Sequence, residues 1–329
     1  MSFSIRPLSK SDLKALRALF LRFPHKAQQQ RAQNLDPQML ADRFVKSLEA
    51  GAEKATDETG PWVGTVYDEV DALAGLQDDA WHSRFYPYRF GRIAPLNCME
   101  LDGADRHALI GFLLEQAMQR GYEHLITRVD GSEFGPLESL TEQKFYLVDC
   151  SLKMSAPISH VPDLAPPSKA RGAHIRKMED RDLEAIRRIA ATSHPMNHYY
   201  NDPWLDKADT DALFAAWVER CCRELPSEVF VLERRDEVQG FAIYLKPLSL
   251  NRDLREPIII LDFVCLDEKA RGGGIGRWFI GKALRILADE YEHVELRTSQ
   301  NNYAAQSCYA DLGIKTVSTD FVLHRHLGQ

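Results

Sequence analysis

Apolar and polar positions along the chain follow two periods, and the switches between them outline the elements. Ile258 to Leu266 is apolar except for Asp262, which predicts a buried central strand. Glu228 to Arg234 and Gln239 to Leu245 flank the polar turn Arg235-Asp236-Glu237 and predict an antiparallel hairpin. Ile280, Ala283, Leu284, Leu287 and Tyr291 recur at helical spacing, so Gly276 to Tyr291 is expected as an amphipathic helix facing that sheet. His293 to Thr298 follows as the next strand, and an acid-capped helix is expected from Asp180 to Ala191.

This order of elements is read twice. Ile5, Arg6, Asp12, Leu13, Ala15 and Arg17 match Ile175, Arg176, Asp182, Leu183, Ala185 and Arg187 at an offset of 170. Ile110-Gly111 falls on Ile280-Gly281 at the same offset, Tyr122-Glu123-His124 on Tyr291-Glu292-His293 at 169, and Arg128 on Arg297. Blocks that match in one order are the mark of a tandem duplication. Between the copies, Ser155 to Ala173 holds four prolines and small polar residues, which reads as a linker. The expected organisation is therefore a domain over 1–154, a linker over 155–173 and a domain over 174–329, each a mixed α/β unit. A chain of 329 residues suits two such cores.

Charge narrows the partners. The apolar fraction of 44% and charged fraction of 27% are those of a globular protein, and the formal net charge of -7 supplies no basic field. Neither nucleic acid nor an anionic membrane is expected as a partner. The opening lacks the uninterrupted apolar core of a signal peptide, and the apolar runs are too short for a bilayer, so a cytoplasmic location is expected. Six scattered cysteines form no C-x-x-C pair and are read as reduced thiols.

Candidate chemistry follows the central strand. Arg271-Gly272-Gly273-Gly274-Ile275-Gly276 joins that strand to the next helix, and glycines let backbone amides approach a ligand where a side chain would block them. Those amides and the helix dipole suit a diphosphate, with charge added by Arg271 and Arg277. The order of residues is neither that of a P-loop nor that of a dinucleotide fingerprint. Asp262 interrupts an apolar strand, where burial would raise its pKa. It is a candidate general base or an anchor for a substrate ammonium, and both roles stay open. His194 and His198 stand four apart, but Pro195 interrupts the helix such a pair needs and no acid completes a zinc signature, so no metal is expected. His194 to Asp202 is read as a substrate-contacting loop or as ordinary surface, and both stay open.

The pattern R-x-x-G-x-G resembles the diphosphate-binding motif of the GNAT family of N-acetyltransferases. Asn302 to Tyr309 followed by Asp311-Leu312-Gly313-Ile314 resembles that family's closing element, with Ile314 in place of the usual aromatic. The resemblance implies tandem GNAT-like domains and acetyl-CoA or another acyl-CoA as co-substrate. It also implies main-chain contacts from Val264 and Leu266 to the pantetheine arm. Arg271, Gly272, Gly273, Gly274, Ile275, Gly276 and Arg277 would hold the diphosphate, and Tyr309 would act as general acid on the departing thiolate. Asn302 would either hydrogen-bond the pantetheine arm or cap a helix. Cys265 and Cys308 lack an evident histidine partner, so direct attack by the amine is expected rather than an acyl-enzyme.

In the first copy, Leu101 to Arg106 takes the place of the glycine loop and Leu140 that of Tyr309, so that copy is expected to be degenerate. Trp81 to Phe85, Phe90 to Ile93, Tyr146 to Asp149, Asp202-Pro203 and Trp217-Val218 resemble enzymes of the dTDP-fucosamine acetyltransferase type. That resemblance implies a small-molecule amine acceptor, the amino group of a dTDP-linked amino sugar. The rival acceptors are another small amine or a protein amine, and outside catalysis the rival is an acyl-CoA sensor. A homodimer is left open. Residues 21–80 match nothing in the family pattern.

Overall fold

The computed structural model describes residues 3–24, 35–192 and 196–328. The chain forms two compact units, residues 1–150 with 318–329, and residues 151–317. In the first, β1 (Phe3–Pro7), β2 (Trp62–Val66), β3 (Glu69–Asp78), β4 (Phe90–Asn97) and β5 (His124–Asp130) pair in that order. The last strand of the chain, β12 (Lys315–His326), closes the series antiparallel to β5. Helices α1 (Leu13–Arg22), α2 (Pro37–Lys54), α3 (Gly103–Gln119) and α4 (Phe134–Glu142) belong to this unit.

In the second unit, β7 (Ala173–Lys177), β8 (Ser227–Arg234), β9 (Glu237–Leu245), β10 (Ile258–Leu266) and β11 (His293–Ser299) pair in the same order. The strand before them in the chain, β6 (Tyr146–Pro157), closes the series antiparallel to β11. Its helices are α5 (Leu183–Thr192), α6 (Lys207–Arg223), α7 (Leu248–Leu254), α8 (Ile275–Leu287) and α9 (Tyr303–Asp311). The expected hairpin is present. Arg235 and Asp236, at φ 54° and 61°, give its turn the left-handed conformation that suits the twist of paired strands. The expected helix over 276–291 stops at Leu287, and Tyr291 packs into the core from the turn beyond it.

The duplication is visible in the elements. Strand β1, the turn Lys10–Asp12 and α1 recur in β7, Asp180–Asp182 and α5 at 170, and β5, α4 and β6 recur in β11, α9 and β12 at 169. Arg6 grips Asp12 through both guanidinium nitrogens at 2.7 Å, and Arg176 grips Asp182 in the same way at 2.6 and 2.9 Å. In each copy the aspartate also accepts a backbone N–H three residues earlier, Ser9 or Glu179, at 2.8 Å. The pair pins the first strand to the start of the first helix.

The compact units divide the chain differently from a cut in chain order. Residues 151–157, at the end of the first copy, complete the second unit, and residues 318–329 complete the first. The stretch 155–173 expected as a linker lies wholly in the second unit. Ile158, Val161 and Ala170 there are buried in its core, at most 2% exposed.

Candidate active site

Strand β10 sets the geometry. Its parallel pairing with β11 runs only from Ile258↔His293 to Leu261↔Leu296, whereas its pairing with β9 continues to Leu266. A register shift between Leu261 and Phe263 leaves Asp262 as the extra residue of a bulge. From Asp262 onward the β11 side of the strand has no ladder partner among the described residues, so the backbone of Val264 and Leu266 borders an opening between two strands.

At one end of this opening lies the glycine loop. Gly272, Gly273 and Gly274 have φ of 82°, 62° and 80°, a left-handed run that side chains resist. Gly274 caps α8 without a side chain. The amides of Gly272, Gly273, Gly274, Gly276 and Arg277 meet no backbone acceptor among the described residues. Such a row of amides at a helix N-terminus favours an anion. Arg271 donates from Nε to the Leu266 carbonyl at 3.0 Å, and Arg277 is paired with Asp311 at 2.7 Å, which joins α8 to α9.

One cation here was not read from the sequence. Lys169 donates from Nζ to the Arg271 carbonyl, and its stem lies 3.2 to 3.8 Å from where a Cβ on Gly273 would stand. Its place in a proline-rich stretch marked it as linker; only the turn Ser168–Ala170 brings it to the loop.

Tyr309 stands on α9, in the core cluster that also holds Leu261 of β10. Its side chain is 5% exposed, and burial beside Cys308 and Cys265 raises its pKa above the usual phenol range, so it stays protonated. Asn302 caps α9, accepting from the Ala305 amide at 3.3 Å, which is the second of its two open roles. Gln306 ties the same helix to the end of β11 through the carbonyls of Ser299 and Gln300, at 3.2 and 2.7 Å. Burial pushes the Cys265 and Cys308 thiols up to about 12, which leaves both un-ionised and poor nucleophiles.

Asp262 turns toward α6, where Trp217 Nε1 donates to its Oδ2 at 2.7 Å. Burial raises its carboxyl pKa, and the Trp217 hydrogen bond opposes the rise only in part. Close by, Tyr200, Phe214, Phe263 and Phe241 form a chain of rings with centroids 5.6 to 5.8 Å apart. Tyr200 also donates to Asp211 at 2.7 Å. His198 is buried and packs its ring 3.9 Å from that of Tyr199, while His194 and Pro195 lie outside the described residues.

The first unit treats its equivalent helix differently. Asp102 caps α3 with its own carboxylate, accepting from the Asp105 amide at 2.9 Å, so the N-terminus already holds an anion. Leu140, at the position of Tyr309, is fully buried. The residues Trp81 to Ile93 form a knot about Asp79, which is paired with His82 at 2.7 Å and Arg92 at 2.6 Å. Burial would raise the Asp79 carboxyl, but its hydrogen bonds with His82 and Arg92 and the Arg92 charge outweigh that and hold it well below the usual range.

Comparisons with known proteins agree with this geometry. Residues 183–314 match the sequence profile of the Acetyltransferase (GNAT) family. No curated protein matches the sequence. Among solved structures, a GCN5-related N-acetyltransferase from Sphaerobacter thermophilus is 15% identical, with a TM-score of 0.63 over 98% of this chain and 95% of that one. A tandem GNAT protein from the clavulanic acid biosynthesis pathway is 15% identical, with a TM-score of 0.56 over 100% and 99% of the two chains. The fold over the whole chain is therefore that of tandem GNAT proteins.

Proposed function

We propose that the second unit, which belongs to the GNAT family and is an acyltransferase with acetyl-CoA as its co-substrate, transfers the acyl group directly to the amine of a small molecule. The observation that carries this reading is the opening beside β10 that leads into a glycine loop whose amides meet no backbone acceptor among the described residues, with a protonated, buried Tyr309 in the same core cluster as Leu261. The residues present fit an acyl-CoA: loop amides of Gly272 to Gly274 for its diphosphate, and strand amides and carbonyls beside Val264 and Leu266 for its amide-bearing arm. When bound, it supplies the reactive thioester.

The chain's own groups then have separate tasks. Backbone around 262–266 holds the thioester in line and offers amides to the developing oxyanion. Asp262, raised by burial and steadied by Trp217, accepts the amine's proton or anchors the ammonium before attack. Tyr309 gives its proton to the departing sulfur. The first unit, with Asp102 on its helix and Leu140 in place of a phenol, is a copy that does not bind the co-substrate.

For the acceptor we favour a dTDP-linked amino sugar, on the resemblance of Asp202-Pro203 and Trp217-Val218 and on the ring-lined face beside Asp262. Thiol release from acetyl-CoA with dTDP- and UDP-amino sugars, polyamines and lysine peptides tests it, with Tyr309→Phe as control. Selective turnover of a nucleotide sugar is the expected result. Turnover of simple amines alone would remove the sugar while leaving acyl transfer in place.

A further inference from the structure

Tyr244 is a second buried phenol in the core cluster of Tyr309, and the mechanism above makes no use of it. It lies on β9 opposite Leu261, the last residue of β10 still paired with β11, and so stands at the root of the opening. Its side chain is 0% exposed and belongs to the core cluster that contains Tyr309 and against which Cys308 packs. Phe230 holds its ring edge-on at 6.0 Å. The ionisable groups whose charge acts on its hydroxyl are Tyr309 and Cys308. Yet that hydroxyl has no hydrogen-bond partner among the described residues.

A buried hydroxyl without a partner costs stability, and phenylalanine would fill the same space without that cost. Retaining the hydroxyl is understandable if it is used at a moment the free protein does not show. We infer that Tyr244 is a positioning residue for Tyr309, donating its hydroxyl hydrogen to the Tyr309 oxygen as that oxygen loses its own proton. This rests on the acyl-transfer reading. In the step concerned, the amine nitrogen forms the C–N bond while the C–S bond breaks and its electron pair goes to sulfur. Tyr309 passes its proton to that sulfur, and the surplus amine proton goes to Asp262 or water. Tyr309, left negative, accepts the hydrogen bond from Tyr244 and regains a proton from solvent after CoA leaves. A donor aimed at charge that appears only in the reaction stabilises the transition state more than the ground state.

The test uses CoA and desulfo-CoA, bound to the full chain and measured by calorimetry at pH 7 and pH 9. A site that donates hydrogen bonds to sulfur favours the thiolate, so affinity for CoA relative to desulfo-CoA should rise with pH, about tenfold in the wild type. Tyr244→Phe should reduce that rise to about threefold, with desulfo-CoA binding unchanged and a melting midpoint at or above wild type. Adding Tyr244→Phe to Tyr309→Phe should change nothing further, because the first residue acts through the second. A full wild-type rise in Tyr244→Phe, or losses that multiply in the double variant, would overturn the inference. Tyr244→Leu, which lowers the melting midpoint by leaving a cavity, carries the same binding expectations should the phenylalanine variant fail to fold. No rise even in the wild type would remove the roles of both phenols, while turnover in the thiol-release assay would still uphold acyl transfer.

Discussion

Asp262 illustrates how one residue's surroundings set testable chemistry. Its carboxyl is raised by burial, so folding disfavours its ionisation relative to the unfolded chain and stability falls as pH rises from the ordinary aspartate range through the raised value. Asp262→Asn should therefore melt at or above the wild type at pH 8, while activity falls at least tenfold if the carboxylate takes the amine's proton. A pH profile of kcat whose acidic limb disappears in Asp262→Asn distinguishes a base from an ammonium anchor, which would chiefly raise the amine's KM. Asp79 carries the opposite sign. Its lowered pKa, set against burial by His82 and Arg92, gives stability that is present above the ordinary aspartate value and lost as pH falls through the folded one. Asp79→Asn should cost about 3 kcal/mol near neutrality, read from denaturant midpoints, and almost nothing at the acid end. Asp262 was legible in the sequence because it broke an apolar run. The Asp79 knot was not, since His82 and Arg92 looked like parts of a motif rather than partners of one buried acid.

At the scale of elements, the glycine loop was legible because three adjacent glycines between a strand and a helix have few structural uses. Its cation was not, because proline-rich composition says that a segment is irregular without saying where it packs. Lys169 reaches the loop through a short turn, and no periodic pattern announces such a turn. Lys169→Met keeps the stem over Gly273 and removes the charge. We expect it to raise the KM for acetyl-CoA about tenfold with little effect on kcat, a uniform loss of anion binding. Equal kinetics in wild type and variant would show that the ammonium only braces the Arg271 carbonyl. The bulge in β10 was equally hidden, since nothing in Leu261-Asp262-Phe263 marks the residue that the ladder skips.

Across the whole molecule, the internal repeat located both copies, but a repeat cannot say which copy a strand pairs with. Strands β6 and β12 are counterparts, and each completes the unit opposite to the one chain order suggests. Their exchange moves the natural unit from 174–329 to 151–317, and the two fragments differ in a measurable way. Residues 151–157 supply seven ladder pairs to β11, from Ser151↔Ser299 to Pro157↔His293, and bury Met154 and Ala156 at 4% exposure each. Losing one buried methionine side chain alone costs about 2–5 kcal/mol, a large part of a typical stability of about 5–15 kcal/mol. The lost ladder would leave a bare edge on β11 that invites aggregation. We therefore expect fragment 151–317 to fold cooperatively and bind CoA, and fragment 174–329 to aggregate or melt without a transition, read by circular dichroism and calorimetry. Equal behaviour of the two would mean that β6 is dispensable and that the break in chain order is the functional one. The full chain carries both closing strands, so each unit's stability depends on residues encoded in the other copy, and this favours retention of a first unit whose helix N-terminus Asp102 has already filled.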